Sequence, residues 1–346
     1  MKVKLLTRSP HLNETLISKL NQIGLTDFTI VDHRQSLLPQ LADAEIIVNG
    51  FGNIDKIIVD ECPNLRLIQQ TGIGIDNVDV GYCTSKSILV ANVPLANAVS
   101  VAEHTIFLIL YLAKNIKEKI SSSANDKGDN ITSSGLLSER RIPDSLGSEI
   151  QGKILVIIGL GATGLEVAKR AKSFGMNVIA VTKSPFLKKA GEVDKAYYVN
   201  SLGGSEILSE SLSRADYVSL HTPLTQETKN MIGARELALM KKSAFLVNVA
   251  RAPIVDKEAL FTALSTNKIS GAAFDVFWDE DKMPTISPSY DPNDKLLKLP
   301  NFILTPHIAG WTIESVDAIA RIIATNLERI SQAQIPLTIV NPELTY

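Results

Sequence analysis

The chain has little of several features that mark particular protein classes. Its 346 residues include only two cysteines, Cys62 and Cys83, which are too few for a disulfide framework. The 35 basic and 37 acidic side chains leave a net charge of −2, so no excess of positive charge is available for binding nucleic acid. The first residues, MKVKLLTRSPHLN, do not resemble a secretory signal. We therefore expect a cytoplasmic protein that acts on small molecules and binds no nucleic acid.

Long apolar runs are also missing. The longest, residues 105–113, covers nine residues, whereas a membrane-spanning helix needs about 20, so we expect a core helix and no membrane association. The content of 45% hydrophobic and 21% charged residues is that of an ordinary globular protein. At roughly 100 to 200 residues per domain, the length predicts about two domains.

Strand-like and helical patterns alternate along the chain. In the first hundred residues the strand-like segments are KVKLLT, FTIVD, EIIVNG and LRLIQQTG. From residue 153 onward six more follow, KILVIIG, NVIAVT, ADYVSLH, AFLVNVA, GAAFDVF and FILTPH. Such alternation predicts α/β architecture with two doubly wound parallel sheets, the second of them with the strand count of a nucleotide-binding fold.

Two helix signals suggest where the chain changes domain. Ser100 and Glu103 have the capping-box spacing directly before the apolar run, which predicts a helix that begins at Ser100. Residues 314–330 carry apolar side chains at helical spacing and would return the chain to the first domain. We therefore predict one domain from residues 1–99 and 312–346, and a second from residues 100–311.

Residues 121–149 are rich in Ser, Asn, Asp and Gly and show no sustained periodicity. A structureless loop of that length is unusual inside a compact domain. We predict an arm that packs on a partner subunit, and a mobile loop is the alternative.

A glycine-rich turn follows the strand-like segment KILVII. Gly159 permits a tight turn, Gly161 lets the backbone approach a pyrophosphate, and Gly164 allows the next helix to pack closely on the strand. The N–H groups of Ala162 and Thr163 would face the phosphates at the start of that helix. In this strand-turn-helix context the pattern predicts a dinucleotide site, with a plain tight turn as the alternative.

The end of the following strand bears on the choice of cofactor. An acidic residue there would bind the ribose hydroxyls of NAD, but the chain has Thr182 and Lys183. The missing carboxylate and the nearby ammonium slightly favour NADP(H) over NAD(H). Alternatively, Lys183 is only a solvated surface charge.

Each of the five histidines can be assessed by its position. His11 and His33 lack neighbours at metal-ligand spacing, so we expect no metal site. His104 opens the apolar helix and is interpreted as a packed, hydrogen-bonded residue. His221 ends a strand and has either a cofactor-side or a structural role. His307 follows the last strand, at the carboxyl edge where open α/β sheets place their sites.

Charged residues also follow the two strand-like segments that come before the last one. Arg251 comes after AFLVNVA, and Asp275 and Glu280 come after GAAF. Because carboxyl ends of adjacent parallel strands converge, Arg251, Glu280 and His307 are expected to meet. An imidazolium can protonate a keto oxygen, a carboxylate can raise the pKa of that imidazole, and a guanidinium can bind a substrate carboxylate. Ordinary surface ion pairs are the alternative for each residue.

Seven segments, in order, resemble the D-isomer-specific 2-hydroxyacid dehydrogenases, and the resemblance covers nearly the whole chain. They are TGIGIDNVDV (71–80), VANVPLANAVSVAEHT (90–105), GKILVIIGLGATG (152–164), ADYVSLHTPLTQETKNMI (215–232), LVNVARAPIVD (246–256), GAAFDVFWDE (271–280) and TPHIAGWTIES (305–315). The resemblance implies a Rossmann nucleotide-binding domain inserted into a flavodoxin-like substrate domain.

The resemblance also implies roles for individual residues. By position, Arg251 is similar to the substrate-binding arginine, Glu280 to its carboxylate partner and His307 to the acid/base. Asp275 resembles the group that holds the nicotinamide carboxamide.

Further positions match residues that line the ligands. Gly72, Ile73 and Gly74 resemble the loop whose N–H groups receive the substrate carboxylate, and Thr222 and Val249 match cofactor-lining positions. Family members are usually dimers built on the nucleotide domain, so a homodimer with the 121–149 arm is implied.

Departures from the family pattern reduce the number of expected substrates. Ala252 replaces the usual glycine, so the backbone after Arg251 is expected to differ slightly, and Asp281 follows Glu280 where a proline is usual. The loop around Phe51 lacks the arginine of phosphoglycerate-using relatives, and Thr71 replaces the lysine of phosphite-oxidising ones. We therefore predict an NAD(P)-dependent enzyme for glyoxylate, hydroxypyruvate or a close analogue. A dinucleotide-sensing protein similar to a corepressor and a phosphoglycerate dehydrogenase without a regulatory domain are the alternatives.

Overall fold

A computed structural model describes residues 1–116, 146–183, 193–278, 291 and 293–344. These residues form two compact units. The first unit contains residues 1–101 and 306–344, and the second contains the described residues from 102 to 305.

The first unit is built on a parallel five-stranded sheet with the order β2-β1-β3-β4-β5. Its strands are β1 (Val3–Leu6), β2 (Phe28–Ile30), β3 (Ile46–Asn49), β4 (Leu67–Gln70) and β5 (Leu89–Ala91). Its helices are α1 (Pro10–Gln22), α2 (Leu37–Leu41), α3 (Lys56–Asp60), α4 (Val80–Ser85) and, near the end of the chain, α10 (Ile313–Ser331). This strand order is that of flavodoxin-like folds. The sequence pattern indicated only the first four of these strands and missed β5.

Helices α1 and α10 pack together over one face of this sheet. Leu12, Leu16 and Leu20 of α1 share a core with Ile323 and Leu327 of α10. The helix predicted over 314–330 is confirmed, and its apolar stripe is buried as the spacing indicated. The return of the chain thus completes the core of the first unit.

The second unit contains a parallel seven-stranded sheet with the order β12-β11-β10-β9-β6-β7-β8. Its strands are β6 (Ile154–Ile158), β7 (Asn177–Thr182), β8 (Lys195–Tyr198), β9 (Tyr217–Leu220), β10 (Phe245–Asn248), β11 (Gly271–Phe274) and β12 (Phe302–Leu304). Its helices are α6 (Ala162–Ser173), α7 (Glu206–Arg214), α8 (Ala234–Leu239) and α9 (Lys257–Ser265). Counted from β6, the order is that of the doubly wound dinucleotide fold, so the predicted fold class is confirmed. Strand β8 was not predicted, because KAYY lies at the sheet edge with little buried apolar surface.

Helix α5 (Ala98–Ala113) begins before the position that the capping-box pattern indicated. The N–H of Val101 donates to the carbonyl of Asn97, so the helical hydrogen bonds already start there. Ser100 is buried inside the helix, where its hydroxyl donates to the Ala309 carbonyl at 2.6 Å. The predicted N-cap role of Ser100 is therefore wrong, because a tertiary hydrogen bond takes its hydroxyl.

Most apolar side chains of α5 are buried in the core of the second unit, as expected for residues 105–113, whereas Phe107 is half exposed. Within the described ranges, no helix combines the length and apolarity needed to cross a bilayer.

Candidate active site

The glycine turn between β6 and α6 has the geometry that its pattern predicts. Gly159 has a φ of +96°, and a Cβ there would lie 2.7 Å from the carbonyl oxygen of His221. A Cβ on Gly164 would lie 2.3 Å from the carbonyl oxygen of Gly159. Both positions therefore require glycine for the fold itself.

Gly161 serves a different purpose in the same turn. It is the extended N-cap residue of α6, and no described atom lies within 4 Å of a Cβ built on it. The first helical backbone hydrogen bond runs from Leu165 N–H to the Gly161 carbonyl, so the N–H groups of Ala162, Thr163 and Gly164 precede it. This open helix start suits a phosphate.

Thr222 supplies an independent indication of a ligand beside the turn. It is 5% exposed, and its Oγ1 has no hydrogen-bond partner among the described residues. Its methyl group would lie 2.9 Å from a Cβ on Gly159, so it belongs to the wall of the turn. A buried hydroxyl without a partner is unfavourable unless a ligand or water meets it. The turn and Thr222 together fit a dinucleotide, and partly buried Val249 stands near the end of the adjoining strand β10.

The end of β7 carries the residues that bear on cofactor choice. Thr182 is buried, and Lys183 directly after it forms an ion pair with Glu227, with 2.5 Å between Nζ and Oε2. The other oxygen of Glu227 accepts the N–H of Leu202 at 2.8 Å. The hydrogen bonds from Lys183 and Leu202 hold the pKa of Glu227 below its ordinary value. Glu227 thus brings a carboxylate to a strand end where the local sequence has none.

His221 follows β9, and its side chain is engaged locally. Its Nε2 lies 2.8 Å from the Ser219 hydroxyl. Burial lowers the pKa of the imidazole to about 3, so the ring is neutral at physiological pH. The geometry supports the structural interpretation of His221, with its backbone against Gly159.

Asp275 lies at the end of β11 in a buried polar chain. It is 1% exposed, and its Oδ1 accepts a hydrogen bond from the Thr305 hydroxyl at 2.5 Å. Nε2 of His104 lies 2.9 Å from the same hydroxyl and 3.5 Å from Oδ1 of Asp275. Burial lowers the pKa of His104, and the Asp275 carboxylate opposes that change. His104 is thus a hydrogen-bonded residue, as its position in the sequence indicated.

Arg251 lies in a short loop that Asn248 holds in place. The Asn248 amide donates to the Arg251 carbonyl at 2.9 Å and accepts the N–H of Ala250 at 3.0 Å. Ala252 begins a 3₁₀ helix, Ala252–Ile254, and is buried. Helical backbone accepts any L-residue, so alanine fits where the family usually has glycine. Asn248 was not predicted as a site residue, although an Asn at a strand end is a typical turn former.

In the first unit, the loop of residues 72–74 follows β4. The Gly72 carbonyl accepts the N–H of Val93 at 3.0 Å, and the Ile73 carbonyl accepts the Asn92 amide at 3.0 Å. Within the described residues, the N–H groups of Gly72, Ile73 and Gly74 make no hydrogen bond. A loop with occupied carbonyls and available N–H groups suits an anion.

The loops after β1, β3 and β4 meet at the same edge of this sheet. A Cβ on Gly50 would lie 3.2 Å from Thr71 Oγ1 and 3.5 Å from Thr7 Cα. The guanidinium carbon of Arg8 stands 4.0 Å from the centre of the Phe51 ring. The loop around Phe51 therefore has a cation beside it, contributed by the chain after β1, which the local sequence did not indicate.

His307 belongs to the first unit, is exposed and has a φ of +54°. Left-handed backbone is uncommon for a residue other than glycine and is enriched at functional positions. Glu280 lies outside the described residues, as do residues 117–145, which include most of the predicted arm. The predicted meeting of Arg251, Glu280 and His307 stays a prediction.

The sequence of the second unit matches a family model. Residues 106–309 match the NAD-binding domain of the D-isomer-specific 2-hydroxyacid dehydrogenases. The chain belongs to this family.

Relatives of this dehydrogenase carry several names. A glyoxylate reductase of Thermococcus gammatolerans is 36% identical over 318 residues, which cover 90% of this chain and 87% of that enzyme. A D-3-phosphoglycerate dehydrogenase of Methanocaldococcus jannaschii is 35% identical over 98% of this chain, which spans only 59% of that relative. The solved D-lactate dehydrogenase of Aquifex aeolicus, complexed with NAD and lactic acid, is 30% identical with a TM-score of 0.79, covering 97% of this chain and 98% of that one.

Membership in this family confirms the resemblance seen in the sequence. It also confirms the prediction of a nicotinamide-dependent dehydrogenase. Glu227, Asn248 and Thr305 are residues of this dehydrogenase that the sequence analysis did not select. Across the described part of the chain, no group of three or more His, Cys, Asp or Glu side chains is placed to hold a metal ion.

Proposed function

We propose that this dehydrogenase interconverts a small 2-keto acid, of the glyoxylate or hydroxypyruvate type, and the corresponding D-2-hydroxy acid. The observation that carries the proposal is the open glycine turn with the unpaired Thr222 hydroxyl beside it. The names of the glyoxylate reductase relatives support the substrate class.

Each candidate residue has a proposed role in the reaction. In the reductive direction the keto carbon gains a hydride and the keto oxygen gains a proton, so one reduced cofactor and one proton are consumed. His307 donates the proton, and Glu280 holds the imidazole in the required form. Arg251 binds the substrate carboxylate, as do the N–H groups of the 72–74 loop.

The second unit has the groups that would hold the cofactor. The start of α6 would bind the pyrophosphate, Thr222 and Val249 would line the site, and Asp275 would hold the carboxamide. When bound, the nicotinamide supplies or accepts the hydride. We propose that this unit is the nucleotide-binding domain and the first unit the substrate domain.

An absorbance assay of the reduced nicotinamide with a panel of 2-keto acids tests the proposal. We expect glyoxylate or hydroxypyruvate to give the highest kcat/KM, ahead of pyruvate. If neither NADH nor NADPH is consumed with any member of the panel, the proposal is wrong. A best rate with pyruvate would contradict only the choice within the class.

Arg8 favours a second candidate, a substrate with another anionic group. Its guanidinium stands over Phe51 at the edge of the first sheet that also holds the 72–74 loop. A phosphorylated 2-keto acid could use such a cation, and the name of one relative agrees with this chemistry. Comparing hydroxypyruvate with its phosphorylated form in the same assay decides between the two. If the KM for the phosphorylated form is lower than the KM for hydroxypyruvate, a phosphorylated substrate becomes the preferred assignment.

For the cofactor, we propose that the balance between Lys183 and Glu227 sets the preference. The absence of an acid at residue 182 slightly favours NADPH, but the carboxylate of Glu227 already occupies the ammonium that a 2′-phosphate would use. We expect Glu227→Gln to raise the ratio of kcat/KM for NADPH over NADH by about threefold to fivefold, the size of an exposed charge interaction. Lys183→Met should lower that ratio by a similar factor.

The control for this pair is Lys229→Met. Lys229 is exposed two residues beyond Glu227, so its removal changes the net charge without touching the ion pair. Equal ratios in the wild-type protein and in both test variants would show that this pair does not select the cofactor.

We also propose a homodimer formed through the nucleotide unit and a cytoplasmic location. Phe107 on α5 is 49% exposed and Leu146 is 82% exposed, and each is an apolar side chain that a partner subunit would cover. Sedimentation velocity should give twice the mass of the chain.

The proposed cytoplasmic location is supported by the two cysteines. Cys62 and Cys83 are buried free thiols, as expected in a reducing compartment.

A further inference from the structure

We propose that Thr305, itself held by His104, is a positioning residue that orients the Asp275 carboxylate toward the nicotinamide carboxamide. The inference rests on the proposed function, because it assigns Asp275 to the cofactor. It adds two residues, one after β12 and one on α5, to the machinery of the site.

The backbone positions of the two partners are set by the sheet. The N–H of Asp275 donates to the Asn248 carbonyl at 3.0 Å, and the N–H of Thr305 donates to the Phe274 carbonyl at 2.9 Å. These bonds continue the ladders of β10, β11 and β12 beyond the strand ends. What the ladders leave undetermined is the rotation of the Asp275 side chain.

The Thr305 hydroxyl restrains that rotation. An ionised carboxylate only accepts hydrogen bonds, and its 2.5 Å contact is much shorter than the 3.4 Å from the hydroxyl to the Phe274 carbonyl, so the single proton of the hydroxyl is assigned to Asp275. The Thr305 oxygen must then accept at its contact with His104, which assigns the proton of the neutral imidazole to Nε2. The chain of donors therefore runs from His104 to Thr305 to Asp275.

The direction of this chain matters for cofactor binding. Because Thr305 holds one carboxylate oxygen in place, it limits the rotation of the carboxylate before the cofactor binds. A carboxylate that is no longer aimed at the carboxamide would lose its charged hydrogen bond to the cofactor, and such a loss changes an affinity by roughly tenfold. Ordering Asp275 before the cofactor arrives also lowers the entropic cost of binding.

The test compares Thr305→Val, which keeps the shape without the hydroxyl, with Thr305→Ser, which keeps the hydroxyl. Dissociation constants for NADH are measured by fluorescence titration without substrate. We expect the valine variant to bind NADH about tenfold more weakly and the serine variant to bind within about twofold of the wild type.

A cofactor analogue separates positioning from general damage. The 3-acetylpyridine analogue of NADH has a methyl group in place of the amide NH₂ and cannot donate to Asp275. We expect Thr305→Val to change its dissociation constant by less than about twofold. Equal losses for NADH and for the analogue, or no loss for either, would overturn the inference.

Failure of the proposed function gives a different result. In that case the wild-type protein itself would not bind NADH or consume it with any 2-keto acid. If Thr305→Val does not fold, Thr305→Ala replaces it, because alanine leaves a small cavity instead of placing a methyl group against a carboxylate. The same pair of dissociation constants then decides.

Discussion

Replacing His307 by Asn is expected to lower kcat by about 10²-fold or more, the usual contribution of a positioned general acid. The keto oxygen would then have to take its proton from water. Replacing His307 by Ala should lower kcat at least as much. Asn is the cleaner choice, because His307 has a φ of +54° and Asn tolerates left-handed backbone better than Ala does.

Two measurements show whether such a loss is chemical. NADH binding by the Asn variant should match the wild type, because the proposed role of His307 is to protonate the substrate and not to hold the dinucleotide. The temperature of unfolding should also match, since His307 is exposed. An Asn variant that keeps more than a tenth of the wild-type kcat would falsify the role of His307 as the acid.

Alanine substitutions in the glycine turn are expected to have two distinct effects. Gly164→Ala would place a Cβ 2.3 Å from a backbone oxygen, and Gly159→Ala adds strain at a φ of +96°. Each should destabilise the second unit by about 1 to 3 kcal/mol. At roughly 2 to 4 °C per kcal/mol, the temperature of unfolding should fall by several degrees.

Gly161→Ala should weaken cofactor binding and have a smaller effect on stability than the other two substitutions. Its Cβ would meet no described atom within 4 Å, so the free energy of unfolding should fall only by the cost of a poorer N-cap residue, about 1 kcal/mol or less. The methyl group would occupy the space that the pyrophosphate needs, and we expect NADH to bind at least about tenfold more weakly. Calorimetry and fluorescence titration measure the two quantities separately.

Gly81→Ala is the matched control for this set. Gly81 lies inside α4 of the first unit, and the nearest atom to its Cβ would be 3.8 Å away. Alanine there should leave NADH binding unchanged and raise stability slightly, because Ala favours helix over Gly. If Gly161→Ala binds NADH as tightly as Gly81→Ala does, the glycine turn is not the phosphate site.

Much of the fold was predictable because strands and long helices have local signals. The apolar segment before Gly159 predicted β6, and the spacing of Val316, Ala320 and Ile323 predicted α10. Local signals also failed where tertiary contacts competed with them. Ser100 had the spacing of an N-cap, yet its hydroxyl bonds to Ala309, which is 209 residues away.

The same difference between local signals and tertiary contacts applies to the candidate site. Gly159, Gly161 and Gly164 could be assigned from the sequence, because a turn between a strand and a helix depends on neighbouring residues. The partners of the single charged and polar groups could not. Glu227 reaches Lys183 across 44 residues, and Thr305 reaches Asp275 across 30.

By itself, the sequence determined the α/β class, the glycine turn and the family, and it supplied the candidates for the chemistry-bearing residues. Only the tertiary structure decided which side chain accompanies each of them, such as Glu227 beside Lys183, Arg8 beside Phe51 and Asn248 behind Arg251. The physical reason is the range of the interactions. Periodicity and turn geometry act over a few residues, whereas side-chain partners are set by strand order and register, which join segments far apart in the chain.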